Sequence, residues 1–297
     1  MALVINNNLM AMNASRNLGS HFSALETSTR RLSSGLRISQ ASDDAAGLAV
    51  RELMRADVTA LQQGIRNAND AISLIQTADG ALGVIDEKLI RMKELAMQAS
   101  TGTYSSDQRL IIDSEYQAMA SEITRIANST DFNGIYLLNG NLSDATHSGS
   151  GLVSTGKLKV HFGTGNDSAE DYYYIQIDTS TASALGVGLA AASGNSGRSI
   201  STQALAQASL SALQDAIVSK DKIRANLGAL QNRLENTVQV LEIQAENVQA
   251  AESRISDVDV ATEMTEFVKN QILTQAAVSM LSQANSLPRM ALSLIGG

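Results

Sequence analysis

Residues 61–96 read LQQGIRNANDAISLIQTADGALGVIDEKLIRMKELA, and this stretch decides the fold. Its apolar residues recur at steps of three and four from Leu61 to Ala96. That spacing is typical of a coiled-coil seam. Ser42 or Asp43 offers a side-chain oxygen to cap the first turn, so the helix is predicted to begin near residue 43. A helix over 43–100 would be roughly 85 Å long, which is more than the width of a compact domain of this length.

A second seam with the same spacing runs from Leu213 to Ile255, after helical patterning resumes near residue 201. A long seam requires a facing seam, and the first helix is the available partner. We therefore predict an antiparallel coiled-coil rod from residues 43–140 and 201–255. Within the first helix, the glycines are predicted to mark bends or close contacts between helices; they are Gly64, Gly80 and Gly83.

The segment between the two seams changes character. A second helical pattern opens at Ser106 or Asp107, and the pairs Asn133-Gly134 and Asn139-Gly140 then predict turns around a short strand. Residues 141–200 are rich in Gly, Ser, Thr and Asn, with alternating runs at 158–162 and 172–178. These runs predict a small β-rich insertion. The predicted fold class is thus mainly α, a long antiparallel rod with terminal helices and this insertion.

Composition excludes several function classes. The 297 residues include one proline, no cysteine and no tryptophan, so nothing here can form a disulfide or a thiolate metal site. A net charge of −8 argues against a nucleic-acid partner, because phosphate binding is driven by clustered cations. The sequence has no run of 18 apolar residues, so membrane insertion is not predicted. The amino terminus also lacks the pattern of a cleaved secretory signal.

The sequence also offers no catalytic, cofactor-binding or metal-binding constellation. The three histidines are not arranged as His-Glu-x-x-His, so a zinc hydrolase is not predicted. Asp43 and Asp44 precede a helix, where carboxylates commonly act as caps. Residues 163–165 read GTG without a third glycine, which is typical of a hairpin turn. We therefore expect no enzyme activity, no cofactor and no metal.

Each end of the chain carries a further apolar helix, over 1–42 and 256–297. Their wide apolar stripes would expose more surface than a monomer tolerates, so they are predicted to contact other subunits, although folding back onto the rod of the same chain is the alternative. Identical elements meeting head to tail without closure give an open helical filament. The predicted subunit-packing residues are Leu9, Phe22, Leu25, Leu32, Phe267, Ile272, Val278 and Leu281.

Several motifs at both ends resemble bacterial flagellins. The amino-terminal half has INNN at 5–8, SDDAAGLA at 42–49 and IRNANDAISLIQTADGAL at 65–82. The carboxy-terminal half has SRISDVD at 253–259 and Ala284-Asn285. The resemblance covers roughly residues 1–140 and 200–297, and it implies a structural subunit that polymerises into the flagellar filament.

The resemblance carries further expectations. In that family the terminal helices build the inner tube of the filament, the rod builds the outer tube, and the insertion faces outward. Export through the flagellar type III apparatus to an extracellular filament is implied, with a chaperone and a cap protein as partners. Two alternatives stay open, a hook–filament junction protein and a secreted adhesin or enzyme carried on a coiled-coil rod.

A recognition patch is also implied by the resemblance. In similar flagellins an arginine and a leucine of this stretch, here Arg91 and Leu95, join a glutamate of the next helix, here Glu115, in the patch seen by Toll-like receptor 5. Ile90 stands where the family usually has glutamine. All three side chains are expected on the outer face of the rod, where the plain alternative is a solvated or subunit-contacting face.

Overall fold

A computed structural model describes residues 8–144, 156–168, 170–188 and 198–295. The described chain is mostly helical with four short strands, which confirms the mainly α class. In chain order the elements are α1 (Leu9–Ser34), α2 (Ala45–Ser100), α3 (Ser106–Ser129), β1 (Asp131–Phe132), β2 (Ile135–Tyr136), β3 (Leu158–His161), β4 (Tyr172–Ile175), α4 (Gln203–Ser256) and α5 (Val260–Ile295).

The chain divides into two compact units. We call residues 1–58 and 246–297 the terminal unit, and residues 59–245 the central unit. The division falls inside α2 and α4, whereas the predicted boundaries at 42/43 and 255/256 follow the ends of the helices. The predicted insertion, residues 141–200, belongs to the central unit, and 145–155, 169 and 189–197 lie outside the described residues.

Helices α2 and α4 run antiparallel within the central unit. Three polar contacts join them: Lys93 Nζ to Gln214 Oε1 at 2.6 Å, Lys220 Nζ to Asp86 Oδ1 at 2.6 Å, and Arg224 Nε to Asp79 Oδ1 at 2.7 Å. Residue numbers fall along α2 as they rise along α4, as the two matching seams predict. Apolar side chains along the same stretch of the two helices are buried; they include Leu82, Ile85, Leu89, Met92, Leu213 and Leu227.

The start of α2 corrects the predicted cap. Asp44 Oδ1 accepts a hydrogen bond from the Gly47 amide at 2.9 Å, so Asp44 caps the helix and the prediction of Ser42 or Asp43 is wrong. Asp43 instead accepts hydrogen bonds from the amides of residues 39–40 in the preceding loop, at 3.2 and 3.1 Å. The Asp43 carboxylate is already held by hydrogen bonds from the loop that leads into the helix, so it does not cap the first turn.

Two β-hairpins follow α3. Asn133 and Gly134, with φ of 52° and 80°, form a two-residue turn between β1 and β2, as the Asn-Gly preference for positive φ predicts. Strands β3 and β4 pair antiparallel in register from Leu158 opposite Ile175 to His161 opposite Tyr172. The predicted alternating runs therefore do form strands, but each is only four residues long.

Candidate subunit-contact and recognition surfaces

The terminal unit is built on an antiparallel pair of α1 and α5. The Asn8 side-chain amide donates to the Ala284 carbonyl at 2.8 Å at one end of the pair. Near the other end, Arg31 Nη1 lies 3.5 Å from Glu263 Oε2. The two ends of the described chain therefore lie against each other along almost the whole length of α1.

The segments that follow α1 and precede α5 are also tied together. Gly35 ends α1 in the left-handed region at φ 72°, where glycine has no steric penalty. The Val258 amide then donates to the Gly35 carbonyl at 3.0 Å, and the Arg37 amide donates to the Ser256 carbonyl at 2.7 Å. These backbone bonds fix the entry into α5 relative to the exit from α1.

The α1–α5 pair leaves much apolar surface uncovered. Of the eight predicted packing residues, Leu9 is 63% exposed, Phe22 60%, Ile272 59% and Val278 52%. The other four, Leu25, Leu32, Phe267 and Leu281, are half-buried. Four of the predicted residues therefore face away from the helix pair, and the other four are partly covered within the terminal unit.

A groove of about 390 Å³ runs between α1 and α5. Its apolar lining includes Leu9 and Met10 from α1 and Leu273 and Met280 from α5, and His21 lies at its wall.

The three candidate recognition residues differ in exposure. Arg91 lies beside Glu115, with its Nε and Nη2 donating to Glu115 Oε1 at 3.0 and 2.8 Å, and its Nη1 donating to Glu94 Oε2 at 3.0 Å. The hydrogen bonds to Glu115, and then those to Glu94, raise the pKa of Arg91 above its ordinary value. Arg91 and Glu115 therefore form an exposed, charge-neutralised pair across α2 and α3.

Leu95 contradicts the expectation that it is exposed on the outer face. Its side chain is 1% exposed and belongs to the main apolar cluster of the central unit. The helix geometry explains this placement, because Leu95 follows Met92 by three residues and precedes Ala99 by four, and both of these are fully buried. Arg91 lies one turn before Leu95, at the edge of this buried stripe, where its side chain is exposed.

Sequence reasoning missed how the β3–β4 hairpin is anchored. Phe162 is buried against Leu61 and Leu241, and the Arg233 guanidinium lies 3.6 Å from the centre of the Tyr173 ring. Such cation–π contacts attach a hairpin to a helix. The crowding of six of the ten aromatic residues between 132 and 174 was the available signal.

Gly64 makes this anchoring possible. A Cβ added to Gly64 would lie 2.0 Å from the Phe162 carbonyl oxygen, so only glycine lets the hairpin backbone approach α2 this closely. Gly80 and Gly83 have nothing within 4 Å of such a Cβ. The close contact at Gly64 is thus with the hairpin rather than, as predicted, with a helix, and no close contact occurs at Gly80 or Gly83, where a bend stays a prediction.

Over the described residues, no group of three or more His, Cys, Asp or Glu side chains is placed to hold a metal ion. None of the helices described is both long enough and apolar enough to cross a membrane.

The described residues thus form an antiparallel helical core in the central unit and an exposed apolar helix pair in the terminal unit. The family model of the bacterial flagellin N-terminal helical region matches residues 5–143, and that of the C-terminal helical region matches 210–295. The chain belongs to the bacterial flagellin family, whose members are structural proteins. The predicted function, a subunit of the extracellular flagellar filament, is thereby confirmed.

Similar proteins span the full chain. The sequence is 41% identical to flagellin FlaB2 of Treponema pallidum (strain Nichols) and 42% identical to the flagellar filament 33 kDa core protein of Treponema phagedenis, each over 293 residues that cover 99% of this chain and 100% of the relative. It is 39% identical to flagellin of Bacillus subtilis (strain 168) over 304 residues, which cover 98% of this chain and 99% of that protein.

Proposed function

We propose that the α1–α5 pair supplies the main surface through which this flagellin adds to the filament. The carrying observation is the exposure of Leu9, Phe22, Ile272 and Val278 on one compact pair of helices. Covering a large apolar side chain removes water from it and favours association by about 1.5–3 kcal/mol when the burial is complete. A surface of this kind is used by a second copy of the same chain, because filament growth joins identical subunits.

Replacing Ile272 by Asp tests this assignment. Ile272 is 59% exposed, so the free subunit tolerates a carboxylate there, whereas a neighbouring subunit would bury it unpaired. We expect Ile272→Asp to keep its helical circular dichroism and its melting temperature, and to form no filaments in electron micrographs after salt addition. Ile272→Leu, the matched control, keeps the apolar volume and should polymerise like the wild type.

Leu281 provides a second, less clean test. It is half-buried within the terminal unit, so Leu281→Asp is expected to loosen α5 as well as to block assembly. The comparison with Ile272→Asp therefore distinguishes packing inside the unit from packing between subunits. Normal filaments from Ile272→Asp would contradict the proposed surface.

We propose further that the flagellar type III export apparatus delivers this chain to the filament tip, with a chaperone and a cap protein as partners. This rests on the family resemblance. Cells that lack the export apparatus should retain the protein inside, and restoring the apparatus should return it to the medium and to filaments. Equal extracellular amounts with and without the apparatus would contradict this route.

We also propose that Toll-like receptor 5 recognises the free subunit through the Arg91–Glu115 pair, with Leu95 acting only as support from the core. The exposure of this pair favours the idea. If neighbouring subunits cover the same face, monomer should stimulate receptor-bearing cells far more than an equal mass of cross-linked filament. Equal stimulation would contradict a shared face, and an inactive wild-type monomer would remove the recognition proposal.

A further inference from the structure

Methionine is unevenly distributed between the two units. In the central unit Met92 is buried and Met119 is half-buried, and Met97 is the one methionine there that is exposed among the described residues. The terminal helices carry five exposed methionines, between 44% and 66% accessible: Met10, Met12, Met264, Met280 and Met290.

Two of these methionines meet in one groove. Met10 of α1 and Met280 of α5, 51% and 66% exposed, line the groove of about 390 Å³ between the two helices, next to Leu9 and Leu273. Their thioethers therefore form part of the apolar surface that a second subunit would cover, while they are open to small solutes in the free subunit.

We propose that Met10 and Met280 form a peroxide-sensitive modification site that controls assembly. Oxidation of these thioethers in the free subunit blocks its addition to the filament. This inference rests on the proposed function, because it requires that a second copy covers the α1–α5 surface.

The chemistry needs only a peroxide. The thioether sulfur attacks one oxygen of hydrogen peroxide, an S–O bond forms as the O–O bond breaks, and the second oxygen leaves as water after proton transfer. Sulfur loses two electrons and the peroxide gains them, which gives methionine sulfoxide. The product carries a strong S=O dipole that accepts hydrogen bonds in place of a flexible apolar group.

The consequence differs between free and assembled subunits. In the free subunit the sulfoxide oxygen is hydrated by solvent, so oxidation leaves the fold of the terminal unit unchanged. On assembly, the apolar surface of a neighbouring subunit would displace that water without supplying a hydrogen-bond donor. Burial of the sulfoxide would therefore be unfavourable, and assembly would be weakened. The buried Met92 in the core of the central unit is shielded from the oxidant.

The test uses full-length subunits obtained by depolymerising filaments. Wild type, the double variant Met10→Leu with Met280→Leu, and the control Met97→Leu are treated with graded hydrogen peroxide and quenched. Peptide mass spectrometry measures the fraction of sulfoxide at each methionine. Sedimentation with added filament seeds then measures the critical concentration for assembly, and methionine sulfoxide reductases A and B together test reversal.

We expect sulfoxide at Met10 and Met280 well before Met92, and a critical concentration raised about tenfold or more in wild type and in Met97→Leu, since an unpaired polar group is buried on assembly. The double variant should assemble with little change after the same treatment. Reduction should restore wild-type assembly.

Three results would overturn the site. They are unchanged assembly of wild type that carries sulfoxide at both positions, protection of both positions from peroxide in the free subunit, and equal loss of assembly in the double variant. Normal seed extension by untreated Ile272→Asp subunits would instead reject the proposed function, so the two failures are distinguishable.

Discussion

The terminal and central units use similar residues in opposite ways. Among the described residues, the terminal unit buries only two apolar side chains almost completely, Ile38 and Ala284, and exposes thirteen large ones. The central unit, with more residues, exposes ten and buries most of the α2–α4 seam. We therefore expect the terminal unit to gain most of its stability when a neighbouring subunit covers its surface, whereas the central unit has a core of its own.

Buried polar groups follow the same division. Arg51 in the terminal unit is 8% exposed, and its Nη1 donates to the Ile38 carbonyl at 2.7 Å. In the central unit the ammonium of Lys220 is almost completely buried between Asp86 and Asp221, at 2.6 and 2.7 Å. The first contact ties a loop to a helix start, and the second lies within the seam, where buried ion pairs can fix helix register.

The largest expected effect comes from truncating a side chain in each unit. Leu82 is fully buried, so Leu82→Ala should lower the free energy of unfolding by about 2–5 kcal/mol through lost burial and a residual cavity. Ile272→Ala, at a site 59% exposed, should change it by no more than about 0.5 kcal/mol in the free subunit. Urea unfolding of the monomers followed by circular dichroism measures both.

In filament assembly we expect Ile272→Ala to have a larger effect than Leu82→Ala, the reverse of their order in monomer stability. Ile272→Ala is expected to raise the critical concentration for polymerisation, because it removes apolar area that a neighbour covers. A free subunit destabilised equally by both substitutions would contradict the contrast between the units.

The next effect concerns the hairpin anchored on α2. Gly64→Ala should destabilise the central unit by about 1–3 kcal/mol, because the new methyl group and the Phe162 carbonyl cannot occupy the same space. Gly80→Ala is the matched control in the same helix, and it should stabilise by roughly 0.5–1 kcal/mol since its surroundings are open. Thermal unfolding checks both signs, and a stabilising Gly64→Ala would show that the hairpin is not held as described.

Tyr116 should make the central unit sensitive to alkali. Its burial, and then the nearby charge of Asp113, raise the pKa of the Tyr116 hydroxyl, while a hydrogen bond with Ser209 opposes this. With the folded pKa above the unfolded value of about 10, the contribution to stability is full below pH 10 and is lost as pH rises further.

Tyr116→Phe should therefore show a shallower loss of unfolding free energy above about pH 10, and near neutral pH should cost about 0.5–1.5 kcal/mol for the lost hydrogen bond. Tyr136→Phe, at an exposed tyrosine, is the control. Urea unfolding between pH 7 and 11 measures the slopes, and parallel curves for wild type and Tyr116→Phe would contradict this account.

The seams were readable from sequence because a heptad-like spacing over dozens of residues has one physical solution. The turn at Asn133-Gly134 was readable for a similar reason, since two adjacent residues with positive φ demand this pair. The cap of α2 was missed by one residue because three consecutive polar side chains, Ser42, Asp43 and Asp44, all offer a suitable oxygen.

Contacts between distant segments were not readable. Nothing local to Gly64 indicates that the Phe162 carbonyl lies against it. Leu95 is different, because the seam spacing puts it beside Met92 and Ala96 in one apolar stripe. The family resemblance predicted Leu95 on the outer face, whereas the helical periodicity favours the core, where the side chain lies.

The smallest expected effect on stability separates Arg91 from Leu95. Arg91 pairs with Glu115 and Glu94 on an exposed surface, where ion pairs are screened and contribute little, so Arg91→Ala should melt at the wild-type temperature within error. Leu95→Ala should behave like Leu82→Ala, because it removes a fully buried side chain.

If the receptor reads the exposed pair, Arg91→Ala should lower the stimulation of receptor-bearing cells without any change in melting temperature. Leu95→Ala should lower the stimulation only in proportion to the fraction of unfolded subunit. Assays well below the melting temperature of this variant should therefore give a signal close to that of the wild type. A loss of signal in folded Leu95→Ala as large as in Arg91→Ala would mean that the receptor reads the helix packing itself. An unchanged signal from Arg91→Ala would show that the receptor does not recognise the Arg91–Glu115 pair.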